Sequence, residues 1–227
     1  MNNQNEKQND AKLKWVSIVG ARPQFVKLAP VCRAIQAYNS REESPLIEHK
    51  IIHTGQHYDP AIAELFFVQM GIPQPDFNLA VGSGTHGKQL AKMVERLEEV
   101  LSVENADWVI VYGDTNSTLA GALVAARLHL PLAHVEAGCR SSDMQMPEEQ
   151  SRIVADHLSQ LLLAPSQSAM ENLWREGIAN ESDATGRRAA MVGDVMYDAL
   201  LENLRVAESY SRTHCKSTAW KGNATTY

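Results

Sequence analysis

Four short strings hold residues able to do acid–base and anion chemistry, and three of them directly follow an apolar run. Gly20-Ala21-Arg22-Pro23, with Lys27 one turn later, follows WVSIV, and Gly113-Asp114-Thr115 follows VIVY. Glu136-Ala137-Gly138, with Arg140 just beyond, follows LAHV, and Pro147-Glu148-Glu149 with Arg152 opens an amphipathic stretch. Carboxylates facing one another suit removal of a proton from carbon and its later return, and a few well-placed cations suit a small anionic ligand. Each string also has a plainer explanation. Asp114 could simply cap the helix after it, and Arg22 could be a solvated loop residue. Proline followed by two glutamates is what the positive end of a helix dipole favours. Taken singly, none of the strings outweighs its plain explanation; their agreement on one edge of one sheet does.

That agreement depends on the elements. Apolar runs rich in β-branched residues at 14–20, 49–55, 107–113, 130–136 and 160–165 read as buried strands, with a shorter one in AAMVG. Between them the spacing of apolar residues turns helical, at 24–38, 60–70, 88–103, 118–129, 147–159, 166–177 and 194–208, with an irregular stretch at 71–87. Alternation of this kind predicts an α/β fold, a doubly wound parallel sheet with helices on both faces. In such a sheet ligands lie beyond the C-terminal ends of the strands, which is where Arg22, Lys27, Asp114 and Glu136 fall. The loop 137–146 leaves the strand that ends at Glu136, so the helix start at Glu148 can return to the same crevice.

Composition removes several function classes. With 21 basic against 27 acidic residues, a net of −6, the chain lacks the basic face a nucleic-acid duplex needs. The longest stretch free of Asp, Glu, Lys and Arg, from His157 to Met170, contains Pro165 and falls short of the roughly 20 apolar residues of a membrane span. Three scattered cysteines, Cys32, Cys139 and Cys215, form no disulfide or zinc pattern and fit a reducing compartment. The polar residues 1–12 read as a disordered leader with no secretion signal, so the expected location is cytoplasmic. Gly82 to Gly87 matches G-x-G-x-x-G, but a weak strand precedes it and it is not the first strand–helix turn. Gly193-Asp194-x-x-x-Asp198 matches a phosphatase motif without the early aspartate nucleophile that chemistry needs. His134-x-Glu136 is half of a deaminase zinc motif lacking its cysteine half, and no metal spacing occurs, so neither metal nor cofactor is expected. His53, His129 and His157 read as structural or surface histidines.

The strings VSIVGARPQFVKLAP, HTGQHYD, VYGDTNSTLAGALVAA, HVEAGCRSSDMQMPEEQSRIVADHLS and MVGDVMYDAL occur here in one order. Together, from the first strand to Ala199, they resemble the N-terminal domain of the non-hydrolysing UDP-N-acetylglucosamine 2-epimerases. The resemblance implies the Rossmann-like half of a glycosyltransferase-B-type fold, with a UDP-sugar in the cleft between two domains. It implies a reaction in which UDP is eliminated to a glycal, the proton returns to the opposite face of the 2-position, and UDP is re-added. Asp114, Glu136 and Glu148 would be the acid/base carboxylates, and Arg22, Lys27 and Arg152 the cations binding substrate. Gln56 and His57, in HTGQHYD, match a loop that in some members touches a second, allosteric substrate molecule. Family members are usually homodimers. Cys139 stands where members carry an aliphatic residue and reads as packing.

The resemblance also implies a second, nucleotide-binding domain carrying a catalytic histidine, and the expectation is that this domain is missing and the chain alone has little activity. Residues 13–208 then form the N-terminal domain, while 209–227 lose apolar periodicity and read as an aberrant tail, from a frameshift near Ser211 to Thr213 that the DNA beyond the stop codon would reveal. Two alternatives stand beside the epimerase reading. One is an epimerase of a UDP-diacetamido-uronic acid, since HTGQHYD and VGSGTHG occur there too. The other is a non-catalytic domain that pairs with a full-length epimerase.

Overall fold

The computed structural model describes residues 12–41, 46–56, 60–179 and 185–215. Seven strands alternate with seven helices along the described chain: β1 (Leu13–Val19), α1 (Arg22–Asn39), β2 (Ile47–His53), α2 (Pro60–Gln69), β3 (Phe77–Asn78), α3 (His86–Glu104) and β4 (Trp108–Tyr112). There follow α4 (Asn116–Arg127), β5 (Leu132–Val135), α5 (Pro147–Leu158), β6 (Leu161–Ala164), α6 (Gln167–Arg175), β7 (Arg188–Met191) and α7 (Val195–Cys215). The strands form one sheet in the order β3-β2-β1-β4-β5-β6-β7, and every pairing is parallel. The order reverses between β1 and β4, so the crevice of the sheet opens where Gly20 and Gly113 leave their strands.

Both faces of the sheet are covered because its central strands are apolar on both sides. Val16 and Ile18 of β1 and Val109 and Val111 of β4 pack with Met93, Leu97 and Leu101 of α3 and with the small residues of α4. Val19, Ile110 and Tyr112 point the other way, onto Phe25, Leu28 and Cys32 of α1 and Phe67 of α2. Close packing by α4 has a sequence cause: a side chain at Gly121 would reach within 2.8 Å of Val111 and 2.9 Å of Ile18. A smaller cluster joins Leu162 and Ala164 of β6 to Ala169, Met170 and Leu173 of α6.

Two elements differ from the sequence expectation. The weak strand before Gly82 is present as the two-residue edge strand β3, paired to Ile52 and His53. The last helix continues past 208 to Cys215, although its apolar spacing fades there; residues 216–227 of the expected tail and the leader through residue 11 lie outside the described residues. No described helix is long and apolar enough to cross a membrane.

Candidate active site

Thr115, and not Asp114, caps α4: the threonine hydroxyl accepts from the Ser117 amide at 3.2 Å. The plain explanation for Asp114 therefore fails, and its carboxylate is turned to another task. Asp114 Oδ2 accepts from Arg152 Nε at 3.0 Å and from Nη2 at 2.6 Å. Glu136, directly after β5, pairs with Lys27 of α1, whose residue is only 5% exposed. The Lys27–Glu136 pair lies over Gly113, the residue before Asp114. A side chain there would lie 2.8 Å from Lys27 Nζ and 3.1 Å from Glu136 Oε2, and its φ of +61° already favours glycine. Glu136 itself takes φ +75°, a conformation a non-glycine residue holds only when its surroundings impose it. Here the amides of Glu136 and Ala137 both donate to the Leu163 carbonyl, at 3.0 and 3.1 Å.

The adjacent glutamates of α5 do different things. Glu149 is buried and accepts from the amides of Ser141 and Ser142, at 3.0 and 2.9 Å, and from Arg152 Nη1 at 2.7 Å. Burial alone would push its carboxyl up, but the two amides and the guanidinium outweigh burial and hold the carboxyl below its ordinary value. Glu148 is exposed and has no hydrogen-bond or ion-pair partner among the described residues. It stands four residues before Arg152 and so on the same helix face as the guanidinium that grips Asp114.

Glu149 thus organises the loop and Arg152, and Glu148 is the carboxylate left available. Arg22 is exposed at the start of α1, its guanidinium 5.9 Å from the Phe66 ring centre. Gln56 accepts from Ser117 Oγ at 2.9 Å through its side chain, while His57 lies outside the described residues.

Several residues that hold the site escaped the sequence reading. Gln24 ties the first crevice turn to the second. Its Oε1 accepts from the amides of Gly20 and Ala21, at 2.8 and 3.1 Å, and its Nε2 donates to the Tyr112 carbonyl at 2.9 Å. His134 and Asp156, both fully buried, meet at 2.6 Å behind the loops carrying Asp114 and Glu136. No single-position pattern marks such residues; only the parallel order of β1, β4 and β5 brings them together. Among the described residues, no group of three or more His, Cys, Asp or Glu is placed to hold a metal ion. Cys139 is half-buried, and burial pushes its thiol up, as expected of packing.

A doubly wound sheet with ion-paired carboxylates along the C-terminal ends of its central strands defines a Rossmann-like α/β domain, one half of a glycosyltransferase-B-type fold. The family model described as UDP-N-acetylglucosamine 2-epimerase matches residues 39–226, and the chain belongs to that family. A UDP-N-acetylglucosamine 2-epimerase homolog of Methanococcus maripaludis is 48% identical over 196 residues, which are 86% of this chain and 51% of that protein. A UDP-2,3-diacetamido-2,3-dideoxy-D-glucuronate 2-epimerase of Pseudomonas aeruginosa is 46% identical over 189 residues, 83% of this chain and 51% of that protein. The crystal structure of the Methanocaldococcus jannaschii UDP-GlcNAc 2-epimerase, in complex with UDP-GlcNAc and UDP, superposes with a TM-score of 0.77 at 45% identity. That match covers 87% of this chain and 51% of the other. The chain spans about half the length of the curated relatives it matches.

Proposed function

We propose that this domain supplies the acid/base wall of a nucleotide-sugar 2-epimerase acting on UDP-N-acetylglucosamine. The observation that carries the reading is the pairing of two edge carboxylates with two cations, Asp114 with Arg152 and Glu136 with Lys27, across the reversal point of the sheet. The hydrogen at the 2-position is weakly acidic, so a carboxylate must take it while the bond from C1 to the UDP oxygen breaks and the electron pair forms the C1–C2 double bond. Protonation of the glycal from the opposite face, with return of the UDP oxygen to C1, gives the epimer. Asp114, Glu136 and Glu148 are the groups for the two proton transfers. Arg22, Lys27 and Arg152 stabilise the charge that develops on the departing diphosphate.

A second reading rests on the 46% identical relative from Pseudomonas aeruginosa, whose named substrate is a UDP-diacetamido-glucuronate. Such a sugar carries one more carboxylate, and exposed Arg22, without an ion-pair partner among the described residues, is a cation available for it. In either case Gln56 and His57 would border a second nucleotide-sugar molecule, and a cytoplasmic homodimer is the expected assembly.

One experiment tests the reading. Both UDP-sugars are incubated in D2O with the chain, alone and with a separately produced second half of the Methanococcus maripaludis relative, and deuterium at C2 is followed by NMR. Exchange is expected only in the combined sample and is expected to disappear with Glu136→Gln. Rapid turnover by this chain alone would refute the need for a second wall, and wild-type exchange in Glu136→Gln would refute the assignment of the site.

A further inference from the structure

His134 and Asp156 are both 0% exposed, and polar groups so buried are costly unless every lone pair and proton is satisfied. Here each is. His134 Nε2 lies 2.7 Å from the Gly113 carbonyl, which can only accept, so that nitrogen carries a proton. His134 Nδ1 lies 2.6 Å from Asp156 Oδ1. Burial would favour the neutral acid at Asp156, but His134 and Arg140 outweigh it and hold the carboxyl below its ordinary value. The second carboxylate oxygen accepts from the Gly138 amide at 3.0 Å and Arg140 Nη1 at 2.7 Å. Arg140 in turn is clamped by both oxygens of Glu176, each at 2.7 Å.

The two ends of this pair grip the two loops that matter. Gly113 precedes Asp114 and forms the floor beneath the Lys27–Glu136 pair, while Gly138 follows Glu136 by two residues. Neither glycine can be displaced freely: Gly113 has φ +61°, and Gly138 has φ +78° with its Cα so close to α6 that a side chain would fall 2.3 Å from the Ala169 carbonyl. A buried ion pair is weak evidence for stability, since apolar residues often serve as well; its use here is to fix geometry.

We infer that His134 and Asp156 are positioning residues that set the spacing between the Asp114 and Glu136 loops. The inference rests on the reading that those two carboxylates do the chemistry, but its test needs no substrate. Failure of the combined sample to exchange deuterium into either sugar would sink the proposed function and leave the measurements below unaffected.

The full chain, labelled with 15N and 13C, is studied by NMR. His134 Nε2 is expected to carry a proton bonded to the Gly113 carbonyl; an unprotonated Nε2 in the unaltered protein would overturn the inference without any variant. Asp156→Asn is nearly isosteric and removes the charge. It is expected to speed exchange of the Gly138 amide roughly tenfold or more, the equivalent of losing one charge-assisted bond. It is also expected to shift the carboxyl titrations of Asp114 and Glu136 by roughly half a pH unit or more. Glu176→Gln, which loosens Arg140 on the far side, is expected to leave both titrations in place. A folded Asp156→Asn protein with unchanged titrations refutes the positioning role, as does an equal shift in Glu176→Gln, which would mark general loosening.

Discussion

Replacing Glu149 by glutamine should damage the protein far more than the same change at its neighbour Glu148, although the sequence presents the two as equivalents. Glu149 accepts three bonds, from the Ser141 and Ser142 amides and from Arg152, in a place where its residue is 1% exposed. Glutamine offers one acceptor oxygen, and its amide nitrogen must then face one of the backbone N–H groups, donor against donor. One charge-assisted bond is lost and the others fall to ordinary strength, at about 1.5–3 kcal/mol for the lost bond and about 1 kcal/mol for the weakened ones. The loop gains an unsatisfied amide next to Ser142, which holds φ +62° against its own preference. Together these give an expected loss of about 2–4 kcal/mol in urea unfolding at neutral pH, with an unchanged denaturant slope.

The pH dependence follows with a definite sign. The folded carboxyl lies below its unfolded value, so its contribution is complete above the unfolded value and is lost as pH falls through the folded one. Wild type should therefore lose more stability than Glu149→Gln on acidification below about pH 4.5. Glu148→Gln, at an exposed position without a partner, should stay within about 0.5 kcal/mol of wild type. A Glu149→Gln protein within about 0.5 kcal/mol of wild type, or a Glu148→Gln protein equally damaged, would show that the clamp on the 139–146 loop is not what holds Arg152 against Asp114.

Gly20→Ala should cost about 2–3 kcal/mol in the same urea assay, because its methyl group would fall 2.0 Å from Thr54 Oγ1 and 2.2 Å from Ser117 Oγ, both fully buried. His49, bonded through Nε2 to Ser17 at 2.8 Å, is pushed down to about 4 by burial, with Asp76 opposing. Its neutral form is the folded one, so stability is complete above the unfolded value near 6.5. It should fall by up to about 1.4 kcal/mol per pH unit from there toward pH 4, a slope that His49→Gln should flatten. Burial pushes the Cys32 thiol up to about 12, so iodoacetamide at pH 8 should leave Cys32 unmodified in the folded protein and label it only after unfolding, as mass spectrometry of peptides would show.

The architecture was legible because parallel strands buried on both faces are written as apolar runs: β4, β5 and β6 fall inside the runs identified, and β1 and β2 overlap theirs, beginning one and two residues earlier. Helices displaying one apolar stripe were legible for the same reason. What escaped was set by partners rather than by local pattern. β3 is two residues long and exists because Ile52 and His53 offer it an edge. α7 runs on to Cys215 after its apolar spacing fades, since a helix once started along α1 adds turns at little cost.

The site divides along the same line. Which residues reach the C-terminal edge follows from where strands end, so Arg22, Lys27, Asp114 and Glu136 could be named from the sequence. What each does at that edge is decided by bonds spanning tens of residues: Arg152 to Asp114 across 38, Lys27 to Glu136 across 109, His134 to Asp156 across 22. Glu148 and Glu149 make the point most sharply. Adjacent on one helix turn, with equal claims on the dipole, they differ only because two amides of the preceding loop converge on the second. Three of the roughly four lone-pair sites of Glu149 are taken, by these amides and by Arg152, whereas Glu148 accepts none among the described residues. Between the two glutamates of α5, the one left for substrate is therefore told from the structural one by its missing partners, a property no pattern of residue types along the chain can carry.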